Sequence, residues 1–175
     1  MILLFCGQIK FMNLILIPRR GFFDEDLLNL AEIINQRFFI ATKNREIAIG
    51  KYGTRVIPDF SIYEILKSTI NAFDNLFIIA DEGWKDLYDT DTKTLIARFS
   101  VYPRKIFAIS LAPILLAKSG FLSGKIATYN NKDFPEYEKL FMKYGVRLVD
   151  FPVFKHENII TCKGRETLPL IKKYL

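Results

Sequence analysis

Short apolar runs of the β-strand type alternate along this chain with segments of helical periodicity, and this alternation constrains the fold more than any other feature. The runs 13–18 (NLILIP) and 76–80 (LFIIA) contain no charged residue, which is typical of strands buried on both faces. After the first run, Asp24 is expected to cap a helix on which Leu27 and Leu30 share one face. Strands that alternate with helices form parallel β-α-β units. The sequence therefore predicts an α/β protein, a flavodoxin-like three-layer α/β/α sandwich with a mostly parallel central sheet.

The length of the chain predicts a single domain that spans residues 1–175. A chain of 175 residues can bury its own core, and no repeat, low-complexity stretch or linker interrupts it. We expect Met1–Phe11 to be an extension, either an extra edge strand or a cover for one. The remaining predicted elements are strands at 38–42, 105–109, 125–129, 146–149, 153–154 and 159–162, a small hairpin across 46–57, and helices at 61–69, 134–144 and 166–174. A further helix is predicted to follow the strand at 76–80 and to end near Phe99.

The net charge of +6 is spread along the chain rather than clustered. It arises from 25 Lys and Arg residues against 19 Asp and Glu residues, and acidic residues interrupt the basic ones. Nucleic-acid-binding proteins concentrate such charge on one face, so the sequence favours a solvated surface over a nucleic-acid partner. No apolar run reaches the roughly 18 to 20 residues of a membrane helix, and the start shows no signal-peptide pattern. We therefore expect a cytoplasmic protein without a membrane partner.

Histidine and cysteine are too few and too scattered for a metal site. The two cysteines, Cys6 and Cys162, lack the spacing of metal ligands, and two thiols do not make a disulfide framework. The only histidine, His156, excludes a multi-histidine site within one chain. We interpret Cys162 as a buried inert thiol and His156 as an exposed turn residue rather than a catalytic base. No cofactor and no metal are expected.

The segment 105–129 (KIFAISLAPILLAKSGFLSGKIATY) carries the most specific motif. An apolar strand runs straight into Ser110, Pro113 suits the first turn of a helix, and Gly120 suits its end. The segment resembles the ThiJ/PfpI superfamily, in which an apolar strand is followed by AICHGP, a helix and a G-x-L-x-G-(K/R)-x-x-T element. Here the stretch 108–113 (AISLAP) occupies the first motif and 120–128 (GFLSGKIAT) the second. The resemblance places Ser110 at a nucleophile-elbow turn between strand and helix, in a constrained backbone conformation.

Weaker likenesses in the same order extend this resemblance from Met12 to the C terminus. They lie at 21–24 (GFFD), 144–150 (YGVRLVD), 158–164 (NIITCKG) and 168–169 (LP). The resemblance implies a class I glutamine amidotransferase-like fold and a homodimer or a higher homo-oligomer. It also implies the family's range of activities, which includes peptidase-like, deglycase and glyoxalase-type reactions.

The sequence departs from the family at the positions on which this chemistry depends. Where the family has a nucleophilic Cys, a following His and a Glu in the first loop, this chain has Ser110, Leu111 and Phe23. The usual P-G-G before the third helix is replaced by 80–83 (ADEG). A serine hydroxyl needs a neighbouring base, and Leu111 and Phe23 offer none. The sequence therefore predicts a catalytically degenerate binding or structural protein in which Ser110 fits a tight turn. The alternative is a hydrolase or a reactive-carbonyl enzyme that uses Ser110 or a base from a partner chain.

Ligands of open α/β sheets bind in the crevice beyond the carboxyl ends of the strands. The residues that we expect at this crevice are Arg20, Phe23, Glu82, Gly83, Trp84, Ser110 and Leu111, with Arg19 and Asp81 at its rim. One interpretation is a small anion or carbonyl compound that an arginine binds and that packs on Trp84. The other interpretation, which we favour, is an Arg20–Glu82 ion pair beside a crevice that Phe23 fills.

Overall fold

The computed structural model describes residues 12–35 and 38–175, and the predicted alternation of strands and helices is confirmed there. In chain order the strands are β1 (Asn13–Leu16), β2 (Phe38–Thr42), β3 (Ala48–Ile49), β4 (Arg55–Val56), β5 (Phe60–Ser61), β6 (Asn75–Ala80), β7 (Lys105–Ser110), β8 (Ile126–Ala127), β9 (Arg147–Leu148), β10 (Val153–His156) and β11 (Ile159–Cys162). The α-helices are α1 (Asp24–Ile34), α2 (Ile62–Glu64), α3 (Thr90–Phe99), α4 (Pro113–Lys118) and α5 (Glu138–Lys143). Segments of 3-10 type lie at Ile70–Ala72, Glu82–Leu87, Pro135–Tyr137 and Arg165–Tyr174, and a π-helical turn lies at Ile65–Thr69. The predicted extension Met1–Phe11 lies outside the described residues.

Within the described residues, seven strands form one sheet in the order β10-β11-β7-β6-β1-β2-β5. All neighbouring pairs are parallel except β10 and β11, which form an antiparallel hairpin at one edge. The predicted α/β class and mostly parallel sheet are therefore confirmed. The pairs β3–β4 and β8–β9 lie outside this sheet. Because parallel strands end at the same edge, the segments after β1, β6, β7 and β11 meet there, and this carboxyl edge positions the candidate site.

Alternate residues of the central strands supply two apolar layers, one on each face of the sheet. Leu14 and Leu16 belong to the layer that includes residues of α3, α4 and α5. Ile15 belongs to the other layer, which includes residues of α1 and of the C-terminal 3-10 segment. The rings of Phe77 and Phe107 stack in this second layer with centroids 4.5 Å apart. In the part of the chain that the structure describes, no helix combines the length and the apolarity of a membrane span.

The prediction that Asp24 caps α1 is wrong. The helix begins at Asp24 itself, and Phe23 is its N-cap. The carboxylate of Asp24 instead accepts the backbone N–H groups of Tyr52 and Thr54 at 2.7 and 2.9 Å, so it joins the turn between β3 and β4 to α1. Burial disfavours the ionised form, but these hydrogen bonds outweigh burial and hold the pKa of Asp24 below its usual value.

Two predicted helices depart from regular α-helical geometry. The segment at 61–69 begins with a capping box, in which the Ser61 hydroxyl accepts the N–H of Glu64 and the Glu64 carboxylate accepts the N–H of Ser61. Its α-helical part ends at Glu64, and the next turn is π-helical. The closing segment Arg165–Tyr174 is a 3-10 helix rather than an α-helix. Pro169 lies inside it and cannot donate the hydrogen bond that an α-helix requires at that position.

Candidate functional site

The strand β7 runs directly into a tight turn at Ser110, as the sequence predicts. Ser110 is the last residue of β7 and has a φ of 65°, in the left-handed region that side chains other than glycine rarely adopt. Ala108 and Ala112 on either side are small and fully buried, and Pro113 opens α4. The turn thus has the geometry of a nucleophile elbow and places the side chain of Ser110 at the carboxyl edge of the sheet.

The side chain of Ser110 contacts a carboxylate that the sequence analysis placed only at the rim. Ala80 pairs with Ser110 between β6 and β7, so Asp81 follows at the same edge. The hydroxyl of Ser110 donates to Oδ1 of Asp81 at 2.5 Å, and the amide nitrogen of Asn130 lies 3.4 Å from the same hydroxyl. The prediction that no base is available locally is therefore wrong. The register between β6 and β7 places the carboxylate of Asp81 beside Ser110, although the two residues are distant in sequence. Ser110 nevertheless has an exposed fraction of 0%.

Arg165 joins two buried carboxylates at this edge. Its guanidinium binds Oδ2 of Asp81 at 2.9 Å and also binds Oδ2 of Asp26, while its backbone N–H donates to Oδ1 of Asp26 at 2.6 Å. A carboxylate oxygen of Asp133 lies 3.4 Å from the same guanidinium. Arg165 has a φ of 56°, a strained conformation that lets one residue present both its backbone and its side chain to Asp26. We call Ser110, Asp81, Arg165 and Asp26 the elbow network.

The elbow network contains two carboxylates but only one cation. Asp26 is fully buried, with an exposed fraction of 0%. Burial raises the pKa of Asp26 to about 6, and the attraction of Arg165 offsets this only in part. The neighbouring charge of Asp81 raises the pKa of Asp26 further. The protonated form of Asp26 is therefore populated in mildly acidic solution.

Asp26→Asn is expected to change how stability depends on pH. The folded protein holds the Asp26 proton more tightly than an unfolded chain, whose Asp pKa is near 3.8, so Asp26 lowers stability as the pH rises from that value to about 6. The neutral amide lacks this effect. The free energy of unfolding of the variant, relative to wild type, should rise by on the order of 2 kcal/mol between about pH 4 and about pH 7. Urea denaturation at both pH values measures this difference. Glu25→Gln, an exposed change on the same helix, is the control, and an equal difference at both pH values would contradict the raised pKa.

An open cleft of about 650 Å³ lies at the carboxyl edge, over the elbow network. Phe23 and Asn130 line it, and the guanidinium of Arg165 packs over the ring of Phe23, 3.8 Å from its centroid. The charged residues around the cleft are Glu25, Lys132, Asp133, Asp150, Lys163, Arg165 and Glu166. Ser110 and Asp81 are not among the residues that line the cleft. The half-buried ring of Phe23 forms one wall of this cleft, and Arg165 packs over it. The expectation that Phe23 fills the crevice at Ser110 stays a prediction.

Phe23 is the one member of the seven predicted crevice residues that lines this cleft. Trp84 is buried, and its indole N–H donates to the hydroxyl of Tyr137 at 3.3 Å. This corrects the interpretation in which a ligand packs on Trp84, since the ring already packs in the apolar core. Leu111 is fully buried in the same layer. Gly83 is a packing position, because a Cβ there would lie 2.0 Å from the carbonyl oxygen of Arg20.

The favoured ion pair between Arg20 and Glu82 is also not observed. Both side chains are exposed, and no ion pair joins them among the described residues. The adjacent Arg19 does form an ion pair, in which its side chain lies 3.9 Å from the carboxylate of Glu46. Two opposite charges that follow strands ending at the same edge therefore do not form the expected contact here.

The histidine and the described cysteine have structural roles. His156 is half-buried on β10, and its Nδ1 accepts the backbone N–H of Ile126 at 3.1 Å, which corrects its interpretation as an exposed turn residue. Cys162 is buried, and its Sγ accepts the N–H of Gly164 at 3.3 Å. The prediction that Cys162 is buried is confirmed, and burial raises the pKa of its thiol to about 11, which disfavours the reactive thiolate.

The site residues that sequence reasoning missed are Asp26, Asn130, Asp133, Lys163 and Arg165. The sequence contains one indication of Lys163 and Arg165, because both follow closely after the predicted strand at 159–162. No comparable signal links Asp26 to Arg165, which are 139 positions apart. Across residues 12–35 and 38–175, no group of three or more His, Cys, Asp or Glu residues is arranged to hold a metal ion.

Comparison with known proteins finds relatives over nearly the whole chain. The sequence profile of the DJ-1/PfpI family matches residues 14–175. An uncharacterised protein of Methanocaldococcus jannaschii is 26% identical, and the match covers 91% of this chain and 82% of that protein.

Solved structures of the same architecture also cover most of the chain. Drosophila melanogaster DJ-1beta is 22% identical with a TM-score of 0.78, and the match covers 93% of this chain and 87% of that one. A ThiJ/PfpI domain protein of Brachyspira murdochii is 18% identical with a TM-score of 0.77, and the match covers 93% and 90% of the two chains. At these identities the likeness shows the fold alone.

Proposed function

The chain belongs to the DJ-1/PfpI family, and we propose that it is a non-enzymatic member that binds a small molecule in the cleft without converting it. The observation that carries this proposal is the environment of Ser110 at the elbow. Its hydroxyl is fully buried and donates its hydrogen bond to Asp81. A nucleophile must approach the reacting carbon of its substrate closely, whereas the side chain of Ser110 has no exposed surface and does not line the cleft.

The rest of the elbow network supports the same proposal. Asp81 is the group that would accept the Ser110 proton during attack, but its second carboxylate oxygen is in an ion pair with Arg165 at 2.9 Å. Asn130 and Arg165 line the cleft and also contact Ser110 and Asp81. Asn130 therefore contacts the hydroxyl that a catalytic elbow would present to substrate, and Arg165 contacts the carboxylate beside it.

A serine-dependent hydrolase or reactive-carbonyl enzyme is the second candidate function. The observation in its favour is the 2.5 Å hydrogen bond between the Ser110 hydroxyl and Asp81, which is the contact of a nucleophile with its base. Such an enzyme would need a rearrangement that exposes Ser110, or a second base from a partner chain. The two candidates differ in whether Ser110 is required for turnover.

The lining of the cleft favours an uncharged polar carbonyl compound over a small anion. The three cations around the cleft are Lys132, Lys163 and Arg165, and the four carboxylates are Glu25, Asp133, Asp150 and Glu166. A simple anion would meet more like charges than opposite ones. The amide of Asn130 and the ring of Phe23 supply a directed polar group and an apolar wall, a combination typical of small-molecule sites.

We also propose that the chain self-associates, as the family resemblance implies. Several large apolar side chains are exposed, among them Ile57, Val101 and Tyr102. A contact with a second copy would bury apolar side chains of this kind.

Purified protein is expected to show no turnover of methylglyoxal and no cleavage of a fluorogenic peptide, because the elbow hydroxyl is buried. The measurement compares wild type with Ser110→Ala, and Ser123→Ala is the control, since Ser123 is an exposed serine outside the site. Equal background rates in all three proteins are expected. Turnover that disappears in Ser110→Ala and persists in Ser123→Ala would establish the second candidate instead.

In the same preparation, an NMR titration should show larger shifts of the Asn130 and Arg165 amides with hydroxyacetone than with pyruvate.

A further inference from the structure

A second cavity of about 210 Å³ lies beside the main cleft. Its walls come from the segment after β8, the start of α5 and the end of β9. Asp150 lines both cavities, and its carboxylate binds the ammonium of Lys163 on the side of the main cleft. The second cavity is smaller than the roughly 300 to 1,000 Å³ of sites for drug-sized ligands. It therefore suits a ligand of fragment size.

Tyr129 gives this cavity an unusual polar group. The residue lines the cavity, its exposed fraction is only 3%, and its hydroxyl makes no hydrogen bond to any described residue. Packing fixes the ring, whose centroid lies 4.5 Å from that of Phe141. Burial raises the pKa of Tyr129 to about 12, and the nearby carboxylates of Glu138 and Glu136 contribute to this. The hydroxyl thus stays protonated, and a buried hydroxyl without a partner is costly.

The remaining walls of the cavity are acidic and apolar except at Asn131, which supplies an uncharged amide. Glu138 supplies a carboxylate that forms no ion pair with any described residue. Pro135, Leu148 and Val149 supply apolar surface. The lining includes no Lys and no Arg among the described residues. An anion would therefore meet repulsion here, whereas an ammonium group would gain a counter-charge.

We propose that this second cavity is a binding site for a small organic ammonium compound with an apolar body. The carboxylate of Glu138 accepts hydrogen bonds from the ammonium group. The hydroxyl of Tyr129 accepts another, and the apolar body packs against Leu148 and Val149. The proposal is independent of the function proposed for the main cleft, because none of these four residues lines that cleft.

The test compares benzylamine with benzyl alcohol and benzoate, three probes of similar size that carry a positive, a neutral and a negative group. Each is titrated at about pH 7, where benzylamine carries its charge, into ¹⁵N-labelled full-length protein, and amide chemical shifts are followed by NMR. We expect benzylamine to produce saturable shifts at Tyr129, Glu138 and Val149, and to bind at least about tenfold more tightly than the other two probes. Equal binding of all three probes, or shifts confined to the main cleft, would overturn the proposal.

Two variants separate the polar contributions. Tyr129→Phe removes only the hydroxyl and Glu138→Gln only the charge, and each should weaken benzylamine binding by about tenfold. The controls Tyr144→Phe and Glu32→Gln lie outside the cavity and should leave the affinity unchanged. Tyr129→Phe should also melt at the wild-type temperature or above it, because the hydroxyl that it removes has no partner. A fall in melting temperature, or an unchanged affinity for benzylamine in Tyr129→Phe, would show that the hydroxyl is already satisfied and is not a ligand contact.

Discussion

Arg165→Met is expected to lower the free energy of unfolding by about 3 to 5 kcal/mol at neutral pH, because it leaves two buried carboxylates without their shared cation. Methionine keeps a flexible apolar side chain against the ring of Phe23, so most of the loss should come from charge rather than from packing. The loss should be smaller at about pH 5, since Asp26, whose pKa is about 6, can then take up a proton. Arg165 also joins the C-terminal segment to α1 and to the residue that follows β6. The backbone amides of the whole segment should therefore be less protected from hydrogen exchange in the variant.

Urea denaturation followed by circular dichroism measures this loss. Lys163→Met is the matched control, because its ammonium pairs with Asp150, whose side chain is mostly exposed, and such pairs contribute less than about 1 kcal/mol. Adding Asp26→Asn to Arg165→Met should restore part of the stability, since one uncompensated charge is then removed. If Arg165→Met unfolded within about 1 kcal/mol of wild type, the network would not hold the C-terminal segment as the geometry indicates.

The fold is predictable from the sequence because its signals are local. The runs that form β1 and β6 carry no charge, which is typical of strands buried on both faces. The turn at Ser110 is equally local, since Ala108 and Ala112 permit the reversal and Pro113 opens the next helix. A prediction from a local pattern fails where a contact with residues distant in sequence replaces the local contact. Asp24 has the composition of a helix cap, but the hairpin turn between β3 and β4 supplies better donors for its carboxylate.

The candidate site is less predictable because its contacts are distant in sequence. Asp81 and Ser110 are 29 positions apart and become neighbours only through the register of β6 and β7. Asp26 is fully buried, whereas charged residues are ordinarily assigned to the surface. Its partner Arg165 follows β11, and the strand order that places β11 beside β7 has no marker in the sequence. Family positions indicate where the elbow lies, but they do not indicate which new side chains surround it.

Ser110→Cys is expected to produce a thiol that reacts with iodoacetamide at least about a hundredfold more slowly than an exposed cysteine, although it restores the residue type of the family's nucleophile. The new sulfur would occupy a fully buried position beside the carboxylate of Asp81. Burial and an adjacent negative charge both disfavour the thiolate, which is the reactive form. The helix that follows, α4, has only six residues and offers little compensation. Restoring the cysteine alone should therefore not restore thiol-dependent activity.

Mass spectrometry of alkylation over time measures this reactivity. Both proteins carry Cys6→Ser, so that the buried Cys162 is the same background thiol in each, and Ser123→Cys supplies the exposed reference. Adding Asp81→Asn should accelerate alkylation at position 110 by about tenfold, because it removes the adjacent charge while burial persists. Alkylation of Ser110→Cys at the rate of Ser123→Cys would mean that reagents reach the elbow freely. That result would remove the basis for a non-enzymatic function, because the same path would then be open to a substrate.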